Sequence, residues 1–228
     1  MKQIVLGTHN KAKVAWINQL LQDYAVEFIT PLDIEIPTEE IIESGKTGLE
    51  NAVIKATYYY NASHKACLSN DNELLFLEFN EDDERQPLTR VRRVYQDEYE
   101  LTDQEMIDYY ANLAKQNGGK LTAYYRSSYA VVTEKGELFT FENPYEKDPK
   151  FIEAIAFYIV EKPHHKRNDG WPLDSLSKDI HTGKYWYDET KDDVKPQEML
   201  DRYQEYIIEG KRLVKQFIVE HLKLVKKL

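Results

Sequence analysis

Apolar positions along the chain change period several times, and each change marks the edge of an element. Ile4, Val5 and Leu6 form a continuous apolar run that stops at Gly7, which predicts a buried strand over residues 2–7. Val14, Ile17, Leu20 and Leu21 then fall on one helical face, predicting a helix over 11–23. Ile34–Pro37 reads as a second short strand. Thr47 and Glu50 have capping-box spacing ahead of Leu49, Ala52, Val53 and Ala56, so another helix begins there. Cys67–Phe79 reads as extended, and Glu81 to Glu84 as a solvated acidic loop.

The second half repeats these signals. Thr102 and Glu105 open a helix carrying Ile107, Tyr110, Ala111 and Ala114, and Gly118 with Gly119 stops it. Leu121–Thr133 and Glu137–Phe141, joined at Lys135 and Gly136, read as a hairpin. Ala154–Val160 fits a buried strand and a helix equally well. Pro163–Asp193 is loop-rich, and Pro196 begins a long helix with Leu200, Tyr203, Ile207, Val214, Phe217, Ile218 and Val225. Strands alternating with helices, without a repeat or a linker, predict a single α/β domain over residues 1–228.

Composition narrows the classes of partner. The chain has 228 residues, 42% hydrophobic and 31% charged, with a formal charge of −10. Nucleic acids and anionic membranes are bound through excess Lys and Arg, so neither is expected as a partner. One cysteine, Cys67, forms no intramolecular disulfide, and no apolar run approaches transmembrane length, so the expected location is cytoplasmic. The 17 tyrosines are scattered through the expected elements and read as packing residues at the edge of the core.

Local chemistry points elsewhere than the net charge does. The strand that ends at Gly7 is followed by Thr8, His9, Asn10, Lys11, Ala12 and Lys13. Loop amides, a helix N-terminus and a lysine can then converge on one anion, although an ordinary strand-to-helix turn with a solvated lysine fits this segment equally well. Gly45, Lys46 and Thr47 resemble the end of a P-loop, but that motif needs a glycine five residues earlier, where this chain has Glu40. Lys55 flanks the apolar stripe of its helix and can reach toward the first loop, and Glu43 can offer an oxygen to Mg²⁺. Taken singly, Lys55 reads as a solvated lysine, Glu50 as a cap and Asp71 as part of a polar turn.

Together these segments resemble one family. THNKAK matches a TxNxxK loop, ESGKTGLENAVIKA matches ExGxTFxENAxxKA, and SNDNEL stands where ADDSGL lies in the inosine triphosphate pyrophosphatase (ITPase) family. The interval from Lys55 to Asp71 is the one the family keeps. The resemblance is strong over residues 1–75 and faint beyond. It implies an α/β, ITPase-like fold, with an elongated mixed central sheet flanked by helices and two lobes with a cleft between them. It also implies a homodimer, and Mg²⁺-dependent hydrolysis of nucleoside triphosphates to monophosphate and pyrophosphate, possible substrates being the non-standard purine nucleotides ITP, dITP and XTP. Carried over by position, Thr8, His9, Asn10, Lys11, Lys13, Lys55, Asn72 and Trp171 would bind substrate. Glu43 and Asp71 would hold the metal, with Asp71 also the proton acceptor.

Several positions depart from the pattern. Asn70 replaces the first Asp of DDSGL, which predicts weaker metal binding, and Glu73 replaces its Gly. Pro87 and Arg93 keep the spacing of a PGxxSAR turn. The loop that carries FGYD in the family reads Asp169, Gly170, Trp171, Pro172, keeping an aromatic ring while losing the carboxylate that reads the base, for which Asp174 is a candidate substitute. Ile207, Ile208 and Glu209 stand in place of SHR. His164, His165, Lys166 and Arg167 could supply the lost cations, although a solvated basic loop is the simpler reading, and adjacent histidines rarely chelate zinc unaided. These departures predict altered specificity. The alternative reading is a catalytically impaired nucleotide-binding protein on the same fold.

Overall fold

The computed structural model describes residues 2–36, 44–95, 99–193 and 195–227. Among the described residues seven strands, β1 (Lys2–Leu6), β2 (Val26–Ile29), β3 (Cys67–Phe76), β4 (Lys120–Val132), β5 (Leu138–Glu142), β6 (Phe157–Val160) and β7 (Ser177–Asp179), hydrogen-bond in the order β2-β1-β3-β4-β6-β7, with β5 also paired to β4. By internal contacts the chain divides into two units. The first comprises Met1–Asn72, Ser127–Glu146 and Tyr206–Leu228, and the second Glu73–Arg126 and Lys147–Glu205.

In the first unit β1 (Lys2–Leu6) pairs in parallel with β2 (Val26–Ile29) and with the start of β3 (Cys67–Phe76). Because side chains alternate along a strand, β1 and β3 feed two cores at once. Ile4, Leu6 and Leu68 pack with Ile17 and Leu21 of α1 (Lys11–Leu20) and with Val214, Phe217 and Ile218 of α5 (Gln197–Leu222). On the opposite face Val5 and Cys67 pack with Ala52, Ala56 and Tyr59 of α2 (Gly48–Ser63). Cys67 is fully buried, and loss of solvent pushes its thiol far above the ordinary range. The hairpin expected in the second half is present, with β4 (Lys120–Val132) antiparallel to β5 (Leu138–Glu142).

The second unit packs α3 (Asp103–Gln116) against the end of β3, the start of β4, and β6 (Phe157–Val160). Tyr110 is fully buried there, and its hydroxyl donates to the Val91 carbonyl at 3.0 Å. Buried Gln86 pairs with both the amide and the carbonyl of Phe76, at 2.7 and 3.0 Å, where neighbouring backbone would otherwise be unsatisfied. β6 also pairs with β7 (Ser177–Asp179).

Some expectations are corrected. Residues 34–36 are not a strand: Pro31–Ile34 is a 3₁₀ turn, with Pro31 at its start and Asp33 accepting from the Thr30 amide at 2.7 Å. The strand lies earlier, at β2, where a half-buried edge position tolerates a weak apolar signal. Pro37 lies outside the described residues. Ala154–Val160 is neither one helix nor one strand, because α4 (Pro149–Ile155) ends at Ala156 and β6 begins directly after it. α1 stops three residues early, β3 ends at Phe76, and Val225 lies beyond α5, whose end is marked by Lys223 at φ 50°. His164 is buried rather than solvated: its Nδ1 accepts from the Lys166 amide at 3.1 Å, and Nε2 lies 3.3 Å from Asp188.

Both capping boxes form as expected, with Thr47 accepting from the Glu50 amide and Thr102 from the Glu105 amide. Thr102→Ala removes one of these caps and should lower stability by about 1 kcal/mol. A lower urea midpoint with an unchanged denaturant slope is the expected result.

Candidate active site

The first unit gathers its chemistry where β1 ends beside β3. Gly7 passes so close to its neighbours that an added Cβ would lie 2.8 Å from Tyr59 Cδ2 and 3.3 Å from Ser69 Cβ. Glycine is therefore required by close approach. The turn is pinned on both sides, by Gly7 N donating to the Leu68 carbonyl at 2.8 Å and Ser69 Oγ donating to the Gly7 carbonyl at 3.2 Å.

Thr8 and Asn10 then organise the start of α1. The Asn10 amide donates to Thr8 Oγ1 at 3.1 Å, and Asn10 Oδ1 accepts from Ala12 N and Lys13 N at 2.9 and 3.2 Å. α1 has no acidic residue in its first turn, so no side chain there opposes the positive end of the helix. His9, Asn10 and Lys11 are exposed, and His9 Nε2 lies 3.4 Å from the Tyr59 hydroxyl.

Three segments converge on Asp71. Lys55 Nζ donates to Asp71 Oδ1 at 2.9 Å, and Asn51, one helical turn earlier on α2, donates from Nδ2 to Oδ2 at 3.2 Å. Lys13 Nζ comes from α1 to 3.6 Å from Oδ1 and donates to the Asn70 carbonyl at 3.3 Å. Lys55 is 7% exposed and Asp71 8%, so the solvated-lysine and polar-turn readings both fail. Burial here is made tolerable by pairing, since an isolated charge at such a position would be strongly disfavoured.

Asn70 and Asn72 face each other along β3, with Asn70 Nδ2 3.5 Å from Asn72 Oδ1. Asn70 Oδ1 is buried without a hydrogen-bond partner among the described residues. Amide and carboxylate oxygens are the donor type that hard divalent cations take, and Asn70 and Asp71 are consecutive residues of β3. Glu43, the other expected ligand, lies outside the described residues. Among the described residues no group of three His, Cys, Asp or Glu side chains is placed to hold a metal.

Trp171 belongs to the second unit. Its half-exposed ring lines a cavity of about 150 Å³ together with Arg92, Tyr125 and Asp174. Asp103 anchors this loop: its carboxylate accepts from Arg92 Nη2 at 2.7 Å and from the Gly170 amide at 2.8 Å. Gly170 sits at φ 80°, a conformation that favours glycine. Burial raises the Asp174 carboxyl, while the Asn168 amide donating to it at 3.1 Å acts in the opposite direction. Glu73, in place of the motif glycine, is buried and accepts from Arg126 Nε at 2.5 Å. Tyr185 and Tyr187 pack around the His164 ring, and Trp186 packs on Phe157.

Asn51, Arg126 and Asp103 were not singled out from sequence. Asn51 had a signal in its four-residue spacing from Lys55, whereas the other two depend on partners brought together by folding.

The sheet is mixed, with β1 parallel to β2 and β3 and the pairings of β4 with β5, β4 with β6 and β6 with β7 antiparallel, and on its parallel side Lys13 and Lys55 gather on the Asp71 carboxylate of β3. The Ham1 family model matches residues 4–146, and the chain belongs to that family. This is the ITPase family whose motifs the sequence carries. A dITP/XTP pyrophosphatase of Coxiella burnetii is 34% identical over 80 residues, covering 35% of this chain and 39% of that relative. One from Mannheimia succiniciproducens is 38% identical over 76 residues, 33% of this chain and 37% of the relative. The matched segment thus spans well under half the length of these curated relatives. In structure, a HAM1 protein from Coxiella burnetii superposes with a TM-score of 0.62 at 20% identity, covering 95% of this chain and 100% of the other. The Staphylococcus aureus Ham1 protein gives 0.62 at 16% identity, covering 96% and 99%. These neighbours share the fold, a mixed α/β sheet flanked by helices.

The Asp103 anchor carries a pH dependence. Hydrogen bonding from Arg92 holds its carboxyl below the ordinary value of 3.8, against the opposing effect of desolvation, with Gly170 adding to the lowering. A carboxyl lowered on folding stabilises the protein above its unfolded value and ceases to do so as pH falls through its folded value. Asp103→Asn should therefore be less stable than the parent by a constant margin at neutral pH. That margin should shrink on acidification below about pH 4, the ordinary carboxylate range, in paired urea titrations.

Proposed function

We propose that this protein is a Mg²⁺-dependent nucleoside triphosphate pyrophosphatase that converts a nucleoside triphosphate to its monophosphate and pyrophosphate. The observation that carries the reading is the convergence of Lys13 and Lys55 on buried Asp71, beside the N-terminus of α1. Relatives named dITP/XTP pyrophosphatase support the same chemistry. Non-standard purine nucleotides such as ITP, dITP and XTP are the proposed substrate class, with specificity altered by the changed base-reading positions.

In this reading Thr8, His9, Asn10 and Lys11 line the phosphate loop, and Lys13 and Lys55 hold phosphate oxygens. Asn72 contributes a polar contact from β3. Water adds to the α-phosphorus, the bond to the bridging oxygen breaks so that pyrophosphate departs, and Asp71 takes the water's proton. A bound Mg²⁺, held by Asp71 and Glu43 with Asn70 Oδ1 as a further oxygen, would neutralise charge developing on the phosphates. Trp171 offers a face for base stacking, and Asp174 a carboxyl beside it. The whole chain is read as one catalytic domain, acting as a homodimer in the cytoplasm.

Pyrophosphate release from a panel of standard and deaminated nucleotides tests the proposal. Asp71→Asn should lower kcat by about 10²–10⁴-fold, the usual contribution of a positioned proton acceptor. EDTA should abolish release, and Asn70→Asp should lower the Mg²⁺ concentration needed for half-maximal rate. Nucleotide binding without turnover in the unmodified protein would instead establish the impaired, nucleotide-binding reading. Trp171→Ala should raise KM by about 5–150-fold, the equivalent of one lost base stack, with a smaller effect on kcat.

A further inference from the structure

We propose that Asn51 is a positioning residue that orients the Asp71 carboxylate and ties it to the backbone ahead of α2; the inference rests on the pyrophosphatase reading for its kinetic consequence. Asn51 is 1% exposed, and both ends of its amide are used. Its Oδ1 accepts from the Gly45 amide at 2.8 Å, while Nδ2 donates to Asp71 Oδ2 at 3.2 Å. The orientation of the amide follows from the partners, because a backbone N–H only donates and a carboxylate only accepts.

The arrangement divides the work between the two oxygens of Asp71. Lys55 takes Oδ1 and Asn51 takes Oδ2, so rotation of the carboxylate would break a buried contact on either side. Both donors come from one face of α2, four residues apart, and the Thr47–Glu50 capping box fixes where that helix begins. Gly45 is shaped for the same contact. A Cβ there would lie 2.6 Å from Asn51 Oδ1 and 2.8 Å from Asn51 N, so only glycine brings its amide this near. Residues 44–47, α2 and β3 are thus joined through one side chain.

Asn51→Asp preserves the size of the side chain and an acceptor for Gly45, but removes the donor and sets a second carboxylate against Asp71. Asn51→Ala removes both contacts. For both variants kcat should fall by about 10–100-fold, as when a partner of a ligating side chain is removed. Nucleotide KM should stay within about threefold, with a normal circular-dichroism spectrum. Hydrogen exchange at the Gly45 amide should remain slow in Asn51→Asp and accelerate in Asn51→Ala, with the Glu50 capping amide as an unchanged control. Turnover of Asn51→Asp within twofold of the parent would overturn the proposal, as would a loss carried by KM alone. Should the unmodified protein release no pyrophosphate, the activity fails separately, and exchange decides the tether. Asp71→Ala should then speed exchange at Gly45 if Asn51 couples the two, and equal rates would sink it.

Discussion

A carboxylate on the inside of a sheet must be answered by its surroundings, and Asp71 sets that demand for the first unit. Lys55 and Asn51 meet it from α2, and Lys13 meets it from α1. Removing one member of a buried ion pair typically costs about 3–5 kcal/mol, whereas exposed pairs are worth about 0–1 kcal/mol. By that measure the contact differs in kind from the surface pair of Arg212 with Glu209, which lies open on α5. The placement of two helices relative to β3 is therefore linked to the chemistry of one side chain.

Close backbone approach is the second constraint. Gly7 admits no side chain because Tyr59 and Ser69 already occupy the space, and Gly45 admits none because Asn51 does. Each glycine lets a loop lie against an element that carries a functional group. A loop held at that distance has fewer conformations to lose when a ligand binds, which is how rigid scaffolds support precise sites. The loop after β1 and the turn before α2 are held by the same device at two points.

Departures from the family pattern fall into two physical kinds. Glu73 at a glycine position introduces a buried charge, and Arg126 on the neighbouring strand answers it. Asn70 at an aspartate position removes a charge and leaves an oxygen with no hydrogen-bond partner among the described residues. The first change is compensated within the fold. The second is not compensated among the described residues.

Helix starts and the paired motifs were legible in the sequence because they depend on neighbours within a few residues. A threonine three residues ahead of a glutamate makes a capping box whatever the rest of the chain does, and strands and helices in alternation set the α/β class. The Lys55 to Asp71 interval could likewise be read as a motif. The burial of both residues could not, because burial is a property of what packs over a residue, and isolated windows read Lys55 as solvated and Asp71 as part of a turn. Tertiary structure alone decided that β2, not residues 34–36, is the edge strand, that Ala154–Val160 divides into helix and strand, and that His164 is enclosed by tyrosines. It also decided that Asn51 joins Gly45 to Asp71, a contact spanning twenty residues from helix to strand. Local backbone chemistry was fixed by residue order, whereas the partners of buried charges were fixed only when distant segments came together.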